Sequence, residues 1–414
     1  MAVVRPFKGI RPTRELVDKV AALPYDVMNT EEAREMVKGN PYSFLHVDKA
    51  QIDLEVGINQ YDEVVYNRAR KNLDDMRANG TYIQDKKPCM YIYRQIMDGR
   101  VQTGIVGCTS IDDYMNNIIK KHEFTRAEKE QDRVNHVDHC NANTGPIFLT
   151  YRNVNAIDEI VAKWTAGEPE YNFVSEDGIS HIIWVIDDCA TVDKLQDLFK
   201  SVDYLYIADG HHRAASAVRV GKMRREANPN YDGTEEFNFF LSVIFPADDL
   251  YIMDYNRVVK DLNGNSSDEF MKKISEIFTI EEFKGQGQYR PEGKGNFGMY
   301  LDNKWYKLTA KAGTFDPKDP VKSLDVSILQ ENVLRPILGI EDPRTSDRID
   351  FVGGIRGLGE LERRVANGMK VAFAMHPTSI QELMNIADAG KVMPPKSTWF
   401  EPKLRSGIFV HELI

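Results

Sequence analysis

The stretch DYLYIADGHHRAASAVR, from Asp203 to Arg219, restricts the fold more than any other part of the chain. Its apolar run YLYIA reads as a buried strand. Asp209-Gly210 is turn chemistry, and the small residues Ala214, Ala215, Ser216 and Ala217 suit a helix lying close to a sheet. A strand that turns directly into a helix is the unit from which α/β sheets are built. The placement of charge is unexpected. The first turn of a helix is its positive end, where a cation is disfavoured by about 0.3–1 kcal/mol, yet His211, His212 and Arg213 stand there. A bound phosphate removes that conflict. The unpaired N–H groups of the first turn point at it, and an arginine can hold two of its oxygens. Gly210, His211, His212 and Arg213 are therefore candidate phosphate-binding residues, against the plainer reading of a solvated basic turn. Adjacent side chains on a helix diverge, so His211 and His212 are not expected to share one metal ion.

Around this unit the chain alternates strand and helix signals, as a mixed α/β (α+β) protein does. NTEEAREMVKGN reads as a helix capped by Asn29 or Thr30 and stopped at Gly39. Ile58, Tyr61, Val65, Ala69, Leu73 and Met76 recur at helical spacing before Gly80. PCMYIYRQIM and VQTGIVGCTSI read as a hairpin turning at Asp98-Gly99. IFLTY, HIIWVID and FNFFLSVIF are further buried-strand candidates, and the charged segment from Lys120 to Pro146 is expected to be mostly helical. These signals divide the chain into 1–110, a central core at 111–260 and a C-terminal α/β region at 261–414.

Composition narrows the function classes. The 414 residues carry a formal charge of −10, which argues against a nucleic-acid or anionic-membrane binder. No apolar run approaches the roughly 20 residues of a membrane span, and MAVVRPFKGIRPTRE lacks the apolar core of a secretion signal. The expected location is the cytoplasm. Four scattered cysteines without a CxxC pair indicate neither a disulfide framework nor a zinc ribbon.

Three further stretches bear chemistry. In KHEFTRAEKEQDRVNHVDHC, Glu123 is surrounded by cations, which keeps a carboxylate ionised and suits a base or a magnesium ligand. A solvated charged helix is the alternative. His136, His139 and Cys140 share a helix face, but three zinc ligands from one helix, with a fourth such as His122, is not a familiar spacing. In MPPKSTWFEPK, Lys396, Ser397, Thr398 and Lys403 are candidates for a phosphate or carboxylate clamp, unless the segment is an ordered packing loop. FVGGIRGLGE misses the dinucleotide-binding spacing and reads as a tight turn. No GxSxG elbow and no suggestive cysteine points to nucleophilic catalysis.

IADGHHR followed by a small-residue helix resembles the phosphate-binding loop of the ParB/sulfiredoxin superfamily. DGHHR downstream of a His-Glu pair, here His122-Glu123, is similar to free L-serine kinases. Over nearly its whole length, through LPYDVMNTEEARE, NPYSFLHVD, KHEFT, GPIFLTY, ADGHHR and MPPKSTWFEPKLRSG, the chain also resembles a large bacterial family long labelled as of unknown function. The resemblance implies a ParB/sulfiredoxin-like mixed-sheet core and a kinase using ATP or ADP with Mg2+ to phosphorylate L-serine or a similar small hydroxy compound. Glu123 would be the general base and His211, His212 and Arg213 would hold the nucleotide phosphates. Asp209 would orient a histidine or help hold magnesium, with His212 beside it in the catalytic group. Arg126, Arg133 and His136 are the candidates for holding the acceptor.

The same resemblance leaves two other readings. A ParB-like CTP switch acting on DNA fits poorly with the acidic charge. A sulfiredoxin-like reductase needs a cysteine where this chain has His211.

Overall fold

The computed structural model describes residues 1–414. They form two compact units, one of Met1–Leu250 with Pro402–Ile414 and the other of Tyr251–Glu401. The expected division at residue 110 is not a unit boundary, because the strand ending there is an inner strand of the larger sheet. The second expected division, at 260, lies near the start of the second unit.

The first unit is built on a nine-stranded mixed sheet. Its strands are β1 (Val4–Arg5), β2 (Met90–Met97), β3 (Arg100–Ser110), β4 (Ile119–Lys120), β5 (Ile147–Tyr151), β6 (Tyr171–Val174), β7 (Ser180–Ile186), β8 (Leu205–Asp209) and β9 (Phe239–Pro246). They lie in the order β4-β8-β5-β9-β3-β2-β7-β6, with β1 on β3. The pairs β4–β8 and β5–β9 are parallel and the others antiparallel. Helices α1 (Thr30–Met36), α2 (Glu63–Ala78), α3 (Ala127–Cys140), α4 (Asn155–Thr165), α5 (Cys189–Lys200) and α6 (His211–Ala227) accompany it.

Local chemistry explains the elements that the sequence announced. Asn29 caps α1 in a reciprocal capping box with Glu32. The hairpin β2–β3 turns through Asp98 and Gly99, both at positive φ, the geometry of a tight two-residue turn. Asn141, in the left-handed region, ends α3. The predicted helix around Ile58 and Tyr61 is shorter than its periodicity suggested and begins only at Glu63.

Ile92, Ile105, Leu149, Ile207 and Ile244 of the sheet pack with Ile157 of α4, Leu195 and Phe199 of α5 and Ala214 and Val218 of α6. Each fully buried large side chain contributes about 1.5–3 kcal/mol. A separate core under α2 gathers Phe44, Leu45, Val65, Ala69 and Leu73.

The second unit has its own six-stranded antiparallel sheet, containing Tyr255–Val259, Phe278–Glu282, Asn296–Leu301, Lys304–Ala310, Ile349–Gly353 and Val371–Ala374. The glycine-rich FVGGIRGLGE is the end of a strand followed by one 3-10 turn. The MPPKSTWFEPK segment is more regular than expected. Trp399–Glu401 forms a short strand against Tyr251–Met253, and Trp399 packs edge-on to Tyr255.

Candidate functional site

Strand β8 is bounded by β4 on one side and β5 on the other. Its pairing with β5 slips between Ile207 and Asp209. Such a bulge bends a strand and re-aims the side chain that follows, here Asp209. Gly210 then takes φ 89, a conformation that disfavours any side chain, and α6 begins at His211. No side chain caps α6 and no acid stands in its first turn, so its first N–H groups lack a capping acceptor.

The parallel register of β4 and β8 brings the next residues together. Leu205 lies opposite Ile119 and Tyr206 opposite Lys120, so His122 and Glu123 leave the sheet at the edge where Asp209 and α6 begin. In open α/β sheets, ligands bind at this carboxyl edge of parallel strands. The His122 and His211 rings meet edge to face, with centroids 4.4 Å apart. Ligand atoms of His122, Glu123 and His211 all lie within 4.8 Å of one another.

Both imidazoles are buried, at 2% and 6% exposure. Nε2 of His211 has no hydrogen-bond partner, and the His122 ring has only a backbone contact at Ile207 that falls short of hydrogen-bond geometry. Burial pushes the His122 pKa down to about 4, against the pull of the Asp209 carboxylate. His211 is driven well below its ordinary value, first by burial and then by His122. Both rings are neutral at pH 7.

A lysine from the far end of the chain completes this side. Lys403 Nζ donates to Asp209 Oδ2 at 2.6 Å, and the Gly210 N–H donates to Oδ1 at 2.8 Å. Desolvation works against the Asp209 charge, but Lys403 and the Gly210 N–H outweigh it and hold the carboxyl at about 2. The Lys403 segment is pinned by buried glutamines of the hairpin. Gln95 donates to the Lys403 carbonyl at 2.9 Å, and Gln102 donates to Gln95 Oε1 at 2.9 Å and to the Pro402 carbonyl at 3.3 Å. His212 turns elsewhere. Its Nε2 accepts the Arg126 backbone N–H at 3.0 Å, tying the start of α3 to the start of α6.

Arg213 faces a different set of groups. Its guanidinium donates to Asp48 Oδ2 at 3.3 Å and Ser406 Oγ at 3.1 Å, and lies 5.3 Å from the centre of the Tyr25 ring. Gly145 makes room for it, since a Cβ there would lie 1.6 Å from Arg213 Nη1. Thr144 Oγ1 donates to Asp48 Oδ1 at 2.9 Å. Burial opposes the Asp48 charge, yet Arg213, His136 and Arg133 together keep its pKa below the ordinary value. Arg133 lies 4.0 Å from the Tyr25 ring centre and its Nε donates to Asp132 at 2.9 Å. His136 Nε2 donates to the Val47 carbonyl at 3.1 Å, and its pKa falls to about 4 through burial and the nearby Arg133. With Asp48 and Arg213, these two residues line a small cavity.

The structure thus gathers Glu123, Asp209, Gly210, His211, His212 and Lys403 around the start of α6, with Arg126 joined to it through its backbone. Arg213, Arg133 and His136 belong to the Asp48 cluster. Lys396, Ser397 and Thr398 fall in the second unit. There Ser397 Oγ donates to the Pro394 carbonyl at 2.6 Å, and the Lys396 carbonyl accepts from Arg257 at 2.9 Å. His136, His139 and Cys140 are not gathered into a cluster of ligand atoms as His122, Glu123 and His211 are. The sequence did not mark Asp48, and it gave His122 no part at the start of α6. The adjacent Glu123 was the signal available for His122, whereas nothing local marks Asp48 as the partner of Arg213.

The chain belongs to the family described as protein of unknown function (DUF1015), whose profile matches residues 4–327. No curated protein matches the sequence. Among solved structures, it is similar to a mutant free serine kinase in complex with AMP, at 14% identity and TM-score 0.37, over 76% of this chain and 94% of that one. A conserved hypothetical protein from Pyrococcus furiosus is 15% identical, at TM-score 0.36 over 75% of this chain and 97% of that one. C-terminally truncated SbnI from Staphylococcus aureus is 11% identical, at TM-score 0.38 over 74% and 87%.

Proposed function

We propose that this member of the DUF1015 family is a phosphotransferase that moves a phosphoryl group from ATP or ADP to the hydroxyl of free L-serine or a similar small hydroxy compound. The observation that carries the reading is the meeting of Glu123 with the uncapped start of α6 at the carboxyl edge of two parallel strands. A base and a phosphate berth stand side by side there. The motif likeness of His122-Glu123 and DGHHR to free serine kinases points the same way.

In this reading the donor phosphate sits against the first-turn N–H groups of α6 and the Lys403 ammonium. Asp209 engages the Lys403 ammonium and fixes its direction, which sets its positive charge beside the first turn of α6. His212 accepts the Arg126 backbone N–H on Nε2, which fixes its ring beside the first turn of α6. Glu123 takes the proton of the acceptor hydroxyl. The hydroxyl oxygen bonds to phosphorus as the bond from phosphorus to the nucleotide oxygen breaks, and the nucleotide leaves with that electron pair. Phosphoryl transfer needs such positioning and charge stabilisation more than covalent help from the protein.

Magnesium would neutralise phosphate charge and takes oxygen ligands. Both Asp209 oxygens already accept hydrogen bonds, so phosphate oxygens and water would carry the ion rather than Asp209. Arg213, Arg133 and His136 act from behind, by fixing the first turn of α6 on Asp48.

Phosphorus NMR of the full chain with magnesium and L-serine tests the proposal, with ATP and ADP supplied separately. A phosphomonoester signal that requires serine is the expected result. Nucleotide consumption that is the same without serine, or no consumption, overturns it.

A further inference from the structure

The geometry points to a transition-metal site formed by His122, Glu123 and His211, taking a borderline divalent ion such as Zn2+, Mn2+ or Co2+. Three ligand-bearing side chains from two separate segments converge to within 4.8 Å of one another. Around a tetrahedral zinc ion, nitrogen and oxygen donors stand about 3.5 Å apart. Closing that difference takes side-chain rotation of little more than an ångström.

The burial of the rings argues that the convergence serves a ligand. A buried polar atom without a partner costs about 1–3 kcal/mol, and native proteins leave few. Here His211 Nε2 is unpartnered, and beside it the buried His122 ring has only a marginal backbone contact at Ile207, leaving each ring a nitrogen with nothing to meet. The nearby ion pair between Lys403 and Asp209 shows that the fold can satisfy polar groups at this edge. A metal ion offers what the two imidazoles lack, because each neutral ring has a lone pair to give.

The donor set selects the ion. Two imidazole nitrogens and one carboxylate oxygen suit zinc, manganese, iron or cobalt, whereas magnesium requires oxygen ligands throughout. Three protein ligands leave a fourth position open at the edge where α6 begins, as in sites that bind a water or substrate atom. With the ion bound, Glu123 gives it one carboxylate oxygen and keeps the other toward the site. The inference goes beyond the kinase reading and can fail separately from it, since metal binding is read without nucleotide or acceptor.

The test is a titration of the chelator-stripped full chain with Co2+ alone, followed by visible absorption. The expected result is a saturable d–d band, abolished by Zn2+ and unaffected by an equal concentration of Mg2+. His122→Ala, His211→Ala and Glu123→Gln should each weaken binding by at least the 10–100-fold that losing even an outer partner costs. Should a buried histidine variant fail to fold, Glu123→Gln and the electron paramagnetic resonance of wild-type protein with Cu2+ read the same site, through nitrogen coupling from both imidazoles. The proposal is overturned by absence of saturable binding, by equal affinity in the folded variants, by preferential displacement with Mg2+, or by a Cu2+ spectrum without imidazole nitrogen.

Discussion

The first turn of α6 has two sides, and they are built on opposite principles. On one, Arg213 meets Asp48, Ser406 and the Tyr25 ring, and Asp48 has Thr144 as well. On the other, His122 and His211 are each buried with a ring nitrogen that meets no partner. The satisfied side holds the helix in place. The unsatisfied side bears a standing cost in stability, which is the pattern of a site kept ready for a ligand. One turn of helix therefore separates architecture from chemistry, although His211 and Arg213 are two residues apart in a single motif.

This contrast predicts substitutions of opposite sign. The largest effect on stability belongs to the satisfied side. Arg213→Ala leaves the Asp48 carboxylate buried at 3% exposure without its guanidinium, and breaking such a pair costs about 3–5 kcal/mol. A urea melt should show this as a lower midpoint at unchanged slope. A midpoint equal to wild type would place Arg213 among the ligand-binding groups and break the comparison.

The next effect has the other sign. His122→Leu removes a buried, unpartnered nitrogen from the interior and is expected to raise the stability of the ligand-free, metal-stripped protein by about 1–3 kcal/mol. The same melt reads it, and a clear loss of stability would show that His122 is structural.

The smallest effect is a dependence on pH at Asp209. Its folded pKa lies at about 2, below the ordinary 3.8, so its contribution to stability is complete above the ordinary value and is lost as pH falls through the folded one. Lys403→Met removes the ammonium that holds the pKa down. Wild type should therefore lose more stability than Lys403→Met between about pH 4 and pH 2. Parallel acid-denaturation curves would remove Lys403 from this side.

What was legible in the sequence was local. The strand, the Asp-Gly turn and the helix from Leu205 to Ala227 follow from neighbouring residues, as do the Asn29 cap and the Asp98-Gly99 hairpin. The cationic start of α6 drew attention to this stretch, and the structure places His122, Arg126 and Asp48 against it. Partners were not legible, because they come from distant segments without a shared pattern. Lys403 reaches Asp209 across 194 residues and Arg213 reaches Asp48 across 165. For that reason three adjacent residues, His211, His212 and Arg213, looked like one cationic cluster, while the fold sends them to His122, Arg126 and Asp48. The stretch from Lys396 to Lys403 looked continuous for a related reason. A unit boundary at Pro402 is set by long-range contacts, and the two prolines and the aromatic pair around it gave no sign of where they would fall.

The most direct test of the account is the rate of serine phosphorylation by Glu123→Gln, measured beside its nucleotide affinity and its melting curve. Loss of a positioned general base lowers the rate by about 10²–10⁴-fold. That loss, with nucleotide affinity and fold retained, is the expected result. Equal turnover in Glu123→Gln and wild type would contradict it.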